Sequence, residues 1–182
     1  MRLHICALTA IAAPLALGAC ASGGLTASEQ SAASETTVQA DYLKEEVSAL
    51  NEITSIYIDA AALYKQASRL PDENNGLSPM LMELHDDRNA DREALQGRVI
   101  ALGGKPATLG EPLGTGHRTF TSLRTVVDND SEVAVEEVLR GEKYIHDRLM
   151  KVADMQLTPE TRSLVEKLES DVSSEIETLQ SL

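Results

Sequence analysis

Tryptophan is missing from this chain and phenylalanine occurs once; aromatic residues make up 3% of it. A core with so few rings must be filled by Leu, Val, Ile and Ala, which suits packed helices better than a sheet sandwich. Basic residues are also scarce: 16 Lys and Arg stand against 29 Asp and Glu, for a net charge of −13. That balance counts against nucleic acid and anionic membrane surfaces as partners. Only two cysteines occur. There is no strand pattern and no short fixed-period repeat. Nor is there a Gly-rich phosphate loop opening on Lys or Ser/Thr, or a nucleophile elbow. The apolar run Ile5 to Leu17, interrupted by Thr9 and Pro14, is shorter than the roughly 20 residues that a spanning helix needs.

What that run does suggest is an address. Arg2 gives a small positive start, the apolar stretch follows, and small residues close it, as in a secretory signal peptide. Leu17-Gly18-Ala19-Cys20 resembles the lipobox of bacterial lipoproteins. The resemblance implies cleavage before Cys20, a diacylglyceryl group on its thiol and an acylated amine, three chains in all. Two or more chains anchor stably where one does not. An ordinary signal peptide cut near Ala19 or Ala21, with Cys20 incidental, also fits small residues here. Cys6 leaves with the signal and lipid consumes Cys20, so the mature chain has no thiol for a disulfide or a nucleophile. Ala21 is not Asp, which in many bacteria with two membranes resembles the outer-membrane sorting rule. Residues 20–40 are rich in Ser, Thr, Ala and Gly, and are expected to be a flexible tether reaching roughly 25 Å. The expected organisation is therefore signal peptide 1–19, lipidated tether 20–40 and one domain 41–182.

Periodicity and punctuation predict four long helices in that domain. The first runs from about Asp41 to Arg69 and stops at Leu70-Pro71. The second opens at Ser78-Pro79 and ends at Leu102-Gly103-Gly104-Lys105-Pro106, where glycine supplies a left-handed cap and proline blocks continuation. A long glycine-bearing connection carries a short amphipathic helix with Phe120, Leu123 and Val127 on one face. The third helix covers about Ser131 to Met155, and the fourth starts after Thr158 at Pro159. Short connections force antiparallel neighbours, and one long crossover allows the ferritin-like arrangement. An all-α, antiparallel four-helix bundle is the expected fold.

LGGKP, HRTFTSLR, EEVLRGE and LTPETRSLVEKL, in that order and spacing, resemble a bacterial family of four-helix bundles of ferritin-like fold and unknown function. The likeness covers about Asp41 to Leu182. It implies a ferritin-like fold and no established reaction.

Helical wheels show which polar side chains fall on apolar faces. On the second helix Arg88 lies near the centre of the face set by Leu81, Leu84, Leu95, Val99 and Leu102, with Asp91 and Arg92 beside it. On the third, Glu142 lies among Val138, Ile145 and Leu149, and His146 is near it. On the fourth, Glu175 is close to the centre and Asp171 at the edge. On the first, Tyr57 and Tyr64 point inward, whereas Asp59 falls on the outer face. His85 is expected at the surface, and His117 packs or caps the crossover helix. The run HDDRNADRE reads as a solvated, salt-bridged face.

Folding the hairpins gathers these residues into a polar layer near mid-bundle. Buried charges must be paired, protonated or bound to something. In one account the layer is structural: Arg88 pairs with Glu142, and Asp91 with the hydroxyls of Tyr57 and Tyr64 completes the network. In the other, Glu142, His146, Glu175 and Asp91 form an irregular di-iron or manganese site. Against the second, no histidine follows a Glu by three residues, since Met82, Gly114 and Lys143 precede His85, His117 and His146. The expected function is a non-enzymatic interaction or envelope module, lipid-anchored on the inner leaflet of the outer membrane and facing the periplasm. A protein partner or a second copy is compatible with it. The alternative is a metal-dependent oxidase or storage bundle.

Overall fold

The computed structural model describes residues 27–69, 77–110 and 131–181. Four helices account for most of them: α1 (Ala27–Ala67), α2 (Leu77–Ala101), α3 (Ser131–Ala153) and α4 (Pro159–Gln180). No strand occurs among the described residues. The main contacts join α1 to α2 and α3 to α4; α1 also meets α3, and α2 meets α4. Leu50, Ile53 and Ile56 of α1, Leu81 and Leu95 of α2, Ile145 and Leu149 of α3, and Leu168 and Val172 of α4 are buried in one shared core. Each such side chain contributes roughly 1.5–3 kcal/mol by leaving water.

The first helix begins at Ala27, not at about Asp41 as the composition suggested. Apart from Val38, residues 27–40 lack bulky apolar groups, but they also lack Gly and Pro, and Ala, Glu and Gln are frequent. Once the packed part of α1 has nucleated the helix, extending it through such residues costs little. At 1.5 Å per residue its 41 residues reach about 60 Å. The other boundaries agree with expectation to within two residues, the usual fraying of helix ends. Cys20, the LGAC motif, the short crossover helix and His117 lie outside the described residues.

The ends of the helices are closed by identifiable contacts. Ser78 donates its hydroxyl to the Ser68 carbonyl and so ties the start of α2 to the end of α1. At the other end of α2, Gly103 has φ +78°, and its N–H bonds to Ile100 O at 2.9 Å while Gly104 N–H bonds to Val99 O at 2.9 Å. This pair of bonds is a Schellman cap. A Cβ on Gly104 would lie 2.7 Å from Val47 Cγ1, so the cap also lets the chain pass close to α1. Beyond it, Asn51 of α1 donates to Lys105 O (3.0 Å) and accepts from Ala107 N–H (2.7 Å). At the end of α3, Arg162 donates to the carbonyls of Ala153 and Met155, both at 3.1 Å.

Candidate functional site

The buried positions of α2 are Leu81, Leu84, Arg88, Asp91, Leu95 and Val99, spaced three or four apart. Arg88 thus occupies a core position on an otherwise apolar stripe, and its side chain is fully buried. Its Nη2 donates to Glu142 Oε2 on α3 at 2.5 Å. The same nitrogen meets Glu175 Oε2 on α4, and Nη1 reaches Glu175 Oε1 at 3.3 Å. Asp91, one turn along α2, lies 3.5 Å from Nη1. One guanidinium therefore faces three carboxylates on three helices. A planar fork of fixed donors suits this task, which a lysine could not perform in the same way.

Helix α1 supplies two tyrosines that treat this cluster differently. Tyr64 donates its hydroxyl to Glu142 Oε1 at 2.5 Å. Tyr57 instead offers its ring: Arg88 Cζ sits 5.1 Å from the centroid, a cation–π contact in a desolvated setting. The sequence had suggested that both hydroxyls complete the network. The Tyr57 hydroxyl is buried without a hydrogen-bond partner, as is Arg88 Nε. Burial pushes both phenols above their ordinary range, Tyr64 with help from the neighbouring Glu142. Both phenols are neutral at any physiological pH.

The cluster is closed on the α1 side and reaches solvent between α2 and α4. There a groove of about 520 Å³ is lined by Leu84, Asp87, Asp91, Lys167, Asp171 and Glu175, among others. Glu142 is fully buried, whereas the Glu175 side chain keeps 18% of its exposure. Burial pushes the Glu175 carboxyl up to about 7; Arg88 opposes this and Glu142 adds to it. Burial raises Asp91 as well, against Arg88 and Lys167. Lys167 stands at the mouth, 2.6 Å from Asp171 and 3.9 Å from Asp91. Its hydrogen bond to Asp171 holds its ammonium above the ordinary range.

Glu142, Glu175 and Asp91 are thus brought together, but around a cation. His146 is not part of the group: its Nε2 lies 3.0 Å from Glu169 Oε1 on α4. Asp171, expected at the edge of the α4 face, pairs with Lys167, and it is Glu175 that touches Arg88. Among the described residues no three His, Cys, Asp or Glu side chains are placed to share a metal ion. The donor set does not fit a di-iron or manganese centre, because the guanidinium fills the space between the acids and would repel a second cation.

Two further residues differ from expectation. His85 is not a plain surface residue; it is half-buried, and its Nδ1 donates to the Ala61 carbonyl at 2.7 Å, which fixes the tautomer. Asp59 is half-buried, and Gly110 packs so closely on it that a Cβ there would fall 1.8 Å from Oδ1.

A second polar cluster escaped the sequence reading. Glu46 of α1 is fully buried and accepts from the Thr158 hydroxyl (2.6 Å) and the Thr158 N–H (3.2 Å) at the start of α4. Arg98 of α2 donates to Thr158 (2.5 Å) and Thr161 (2.7 Å). Thr158 makes no side-chain cap of its own helix. The spacing Glu46, Leu50, Ile53, Tyr57 was the available signal, since it places Glu46 on the buried stripe.

No curated protein matches this chain. Residues 45–155, more than half of the chain, match the model of the family described as Domain of unknown function (DUF2383), a span that includes Arg88 and Glu142 but ends before α4, and the chain belongs to that family.

Proposed function

We propose that this chain is a lipid-anchored, non-catalytic helical module of the bacterial envelope. In this reading its helices form an antiparallel, ferritin-like bundle, held through Cys20 to the inner leaflet of the outer membrane and facing the periplasm. The observation that carries it is the position of Arg88. Where a ferritin-like bundle would use its interior carboxylates for chemistry, a guanidinium bonds them from within. Such a network fixes helix register and leaves the outer surface to meet other molecules. LGAC and the Ser/Ala-rich residues after it support the anchor, and no described helix is long and apolar enough to cross a membrane.

Two measurements test this. Cys20→Ala should move the protein from the membrane to the soluble fraction; unchanged membrane association removes the anchor from the reading. Elemental analysis of the purified protein should find no stoichiometric transition metal. Iron or manganese at one or two per chain, lost on Glu142→Ala, would replace the module with a metal-binding bundle.

A further inference from the structure

We propose that the Arg88–Glu175 contact is a proton-governed latch between α2 and α4, which keeps the groove between them narrow when Glu175 carries a proton and lets it widen when the proton leaves. The argument starts from charge. Arg88 faces Glu142, Glu175 and Asp91 in a site with little water, so full ionisation leaves two negative charges in excess. Lys167 at the mouth offsets Asp91 but brings Asp171 with it. The cluster therefore favours one bound proton, and geometry selects where it sits. Glu142 is sealed on both oxygens by Arg88 and Tyr64. Glu175 and Asp91 both contact Arg88 from the groove wall, but Asp91 also faces Lys167 at 3.9 Å, which favours its charged form, so the proton falls to Glu175.

Every neighbouring helix contributes to the field at Glu175. From α1 come the phenols of Tyr57 and Tyr64, both held neutral. From α2 come Arg88, Asp91 and Asp87, and from α3 comes Glu142. On α4 itself Lys167 and Asp171 form their own pair. Apart from the two cations the titratable groups are neutral or acidic, and burial pushes Glu175 toward neutrality. A protonated carboxyl keeps an oxygen to accept from Arg88 and carries no charge to desolvate. Once ionised, it gains attraction from Arg88 but repels Glu142 and carries a charge that burial deprives of water, and the burial weighs most; a wider groove returns that water. The α2–α4 seam is the place for release, because Glu175 and Lys167 of α4 reach Arg88 and Asp91 of α2 there, beside solvent.

Hydrogen exchange on the purified protein, corrected for the intrinsic pH dependence of exchange, reads the latch directly. Between about pH 6 and about pH 8.5 the amides of Ser174 to Gln180 should lose about tenfold more protection than those of α1. Glu175→Gln, which keeps the acceptor and removes the titration, should change by less than about twofold over the same range. A flat wild-type profile, or a variant that falls as the wild type does, overturns the proposal. Carboxyl carbon-13 NMR of the wild type gives a second reading that does not depend on the variant folding. One glutamate should titrate near neutrality, and titration of every carboxyl below about pH 5.5 would also overturn it.

Discussion

Tyr64 and Glu142 lie 78 residues apart in the sequence, yet 2.5 Å separates the phenol from the carboxylate in the interior. The bond links α1 to α3 at the level where Arg88 links α2 to α3 and α4. Four helices thus meet through one acid and one base.

Tyr64→Phe removes this donor without changing the ring that fills the core. Glu142 Oε1 then loses the only partner described for it, at a fully buried position. A loss of about 1–3 kcal/mol is expected, the cost of leaving a buried acceptor unsatisfied. The midpoint of urea unfolding checks it, and an unchanged midpoint would mean that the bond contributes nothing.

Arg88→Met should be more damaging, because three carboxylates then share a low-dielectric site with no cation among them. Breaking a buried ion pair from one side typically costs about 3–5 kcal/mol. Combining Arg88→Met with Glu142→Leu should recover part of that loss, since the two residues act as a unit. A double variant whose loss equals the sum of the two single losses would show that they do not.

The pH dependence of global stability follows from Glu175. Its carboxyl is raised from 4.5 to about 7 in the folded protein. A raised value means that the folded state prefers the protonated form. This contribution is complete below about pH 4.5 and is lost as pH rises through about 7. Asp91, also raised by burial, works in the same direction. Glu175→Gln should therefore be relatively more stable than wild type at pH 8 than at pH 5, by on the order of 3 kcal/mol at most. Denaturation series at the two pH values would show it, and parallel shifts of both proteins would contradict it.

Glu46→Ala should weaken the start of α4 although the residue belongs to α1. The Thr158 N–H and hydroxyl lose their acceptor together. The expected cost is about 1–2 kcal/mol, similar to losing a helix N-cap. It should appear first as faster hydrogen exchange in the opening turn of α4.

Much of this was legible in the sequence. The stripe Leu81, Leu84, Arg88, Asp91, Leu95 marks Arg88 as inward because helix periodicity is rigid and every other member of the face is apolar or acidic. Glu142 and Glu175 were legible for the same reason. What periodicity could not supply was rotation to within one side chain. It set Glu175 near the centre of the α4 face and Asp171 at its edge, and only packing shows Glu175 in contact with Arg88 and Asp171 with Lys167. It also could not assign the two tyrosines, because a phenol on an apolar face serves equally as a donor or as a ring. The start of α1 is not legible from hydrophobicity, because residues 27–40 carry no periodic apolar signal. Helix propagation needs only residues that do not oppose it.

Asn51 has a consequence for how such a fold can diversify. With its amide oxygen on one backbone N–H and its amide nitrogen on a carbonyl two residues earlier, it stands in for a paired β-strand one residue long. The direction in which the chain departs from α2 is therefore set at the rim, by Asn51 together with Gln96, which donates to the Ala107 carbonyl at 2.7 Å, separately from the buried interior. Sequence drift at that splint could reroute the connection while the four-helix interior stayed intact.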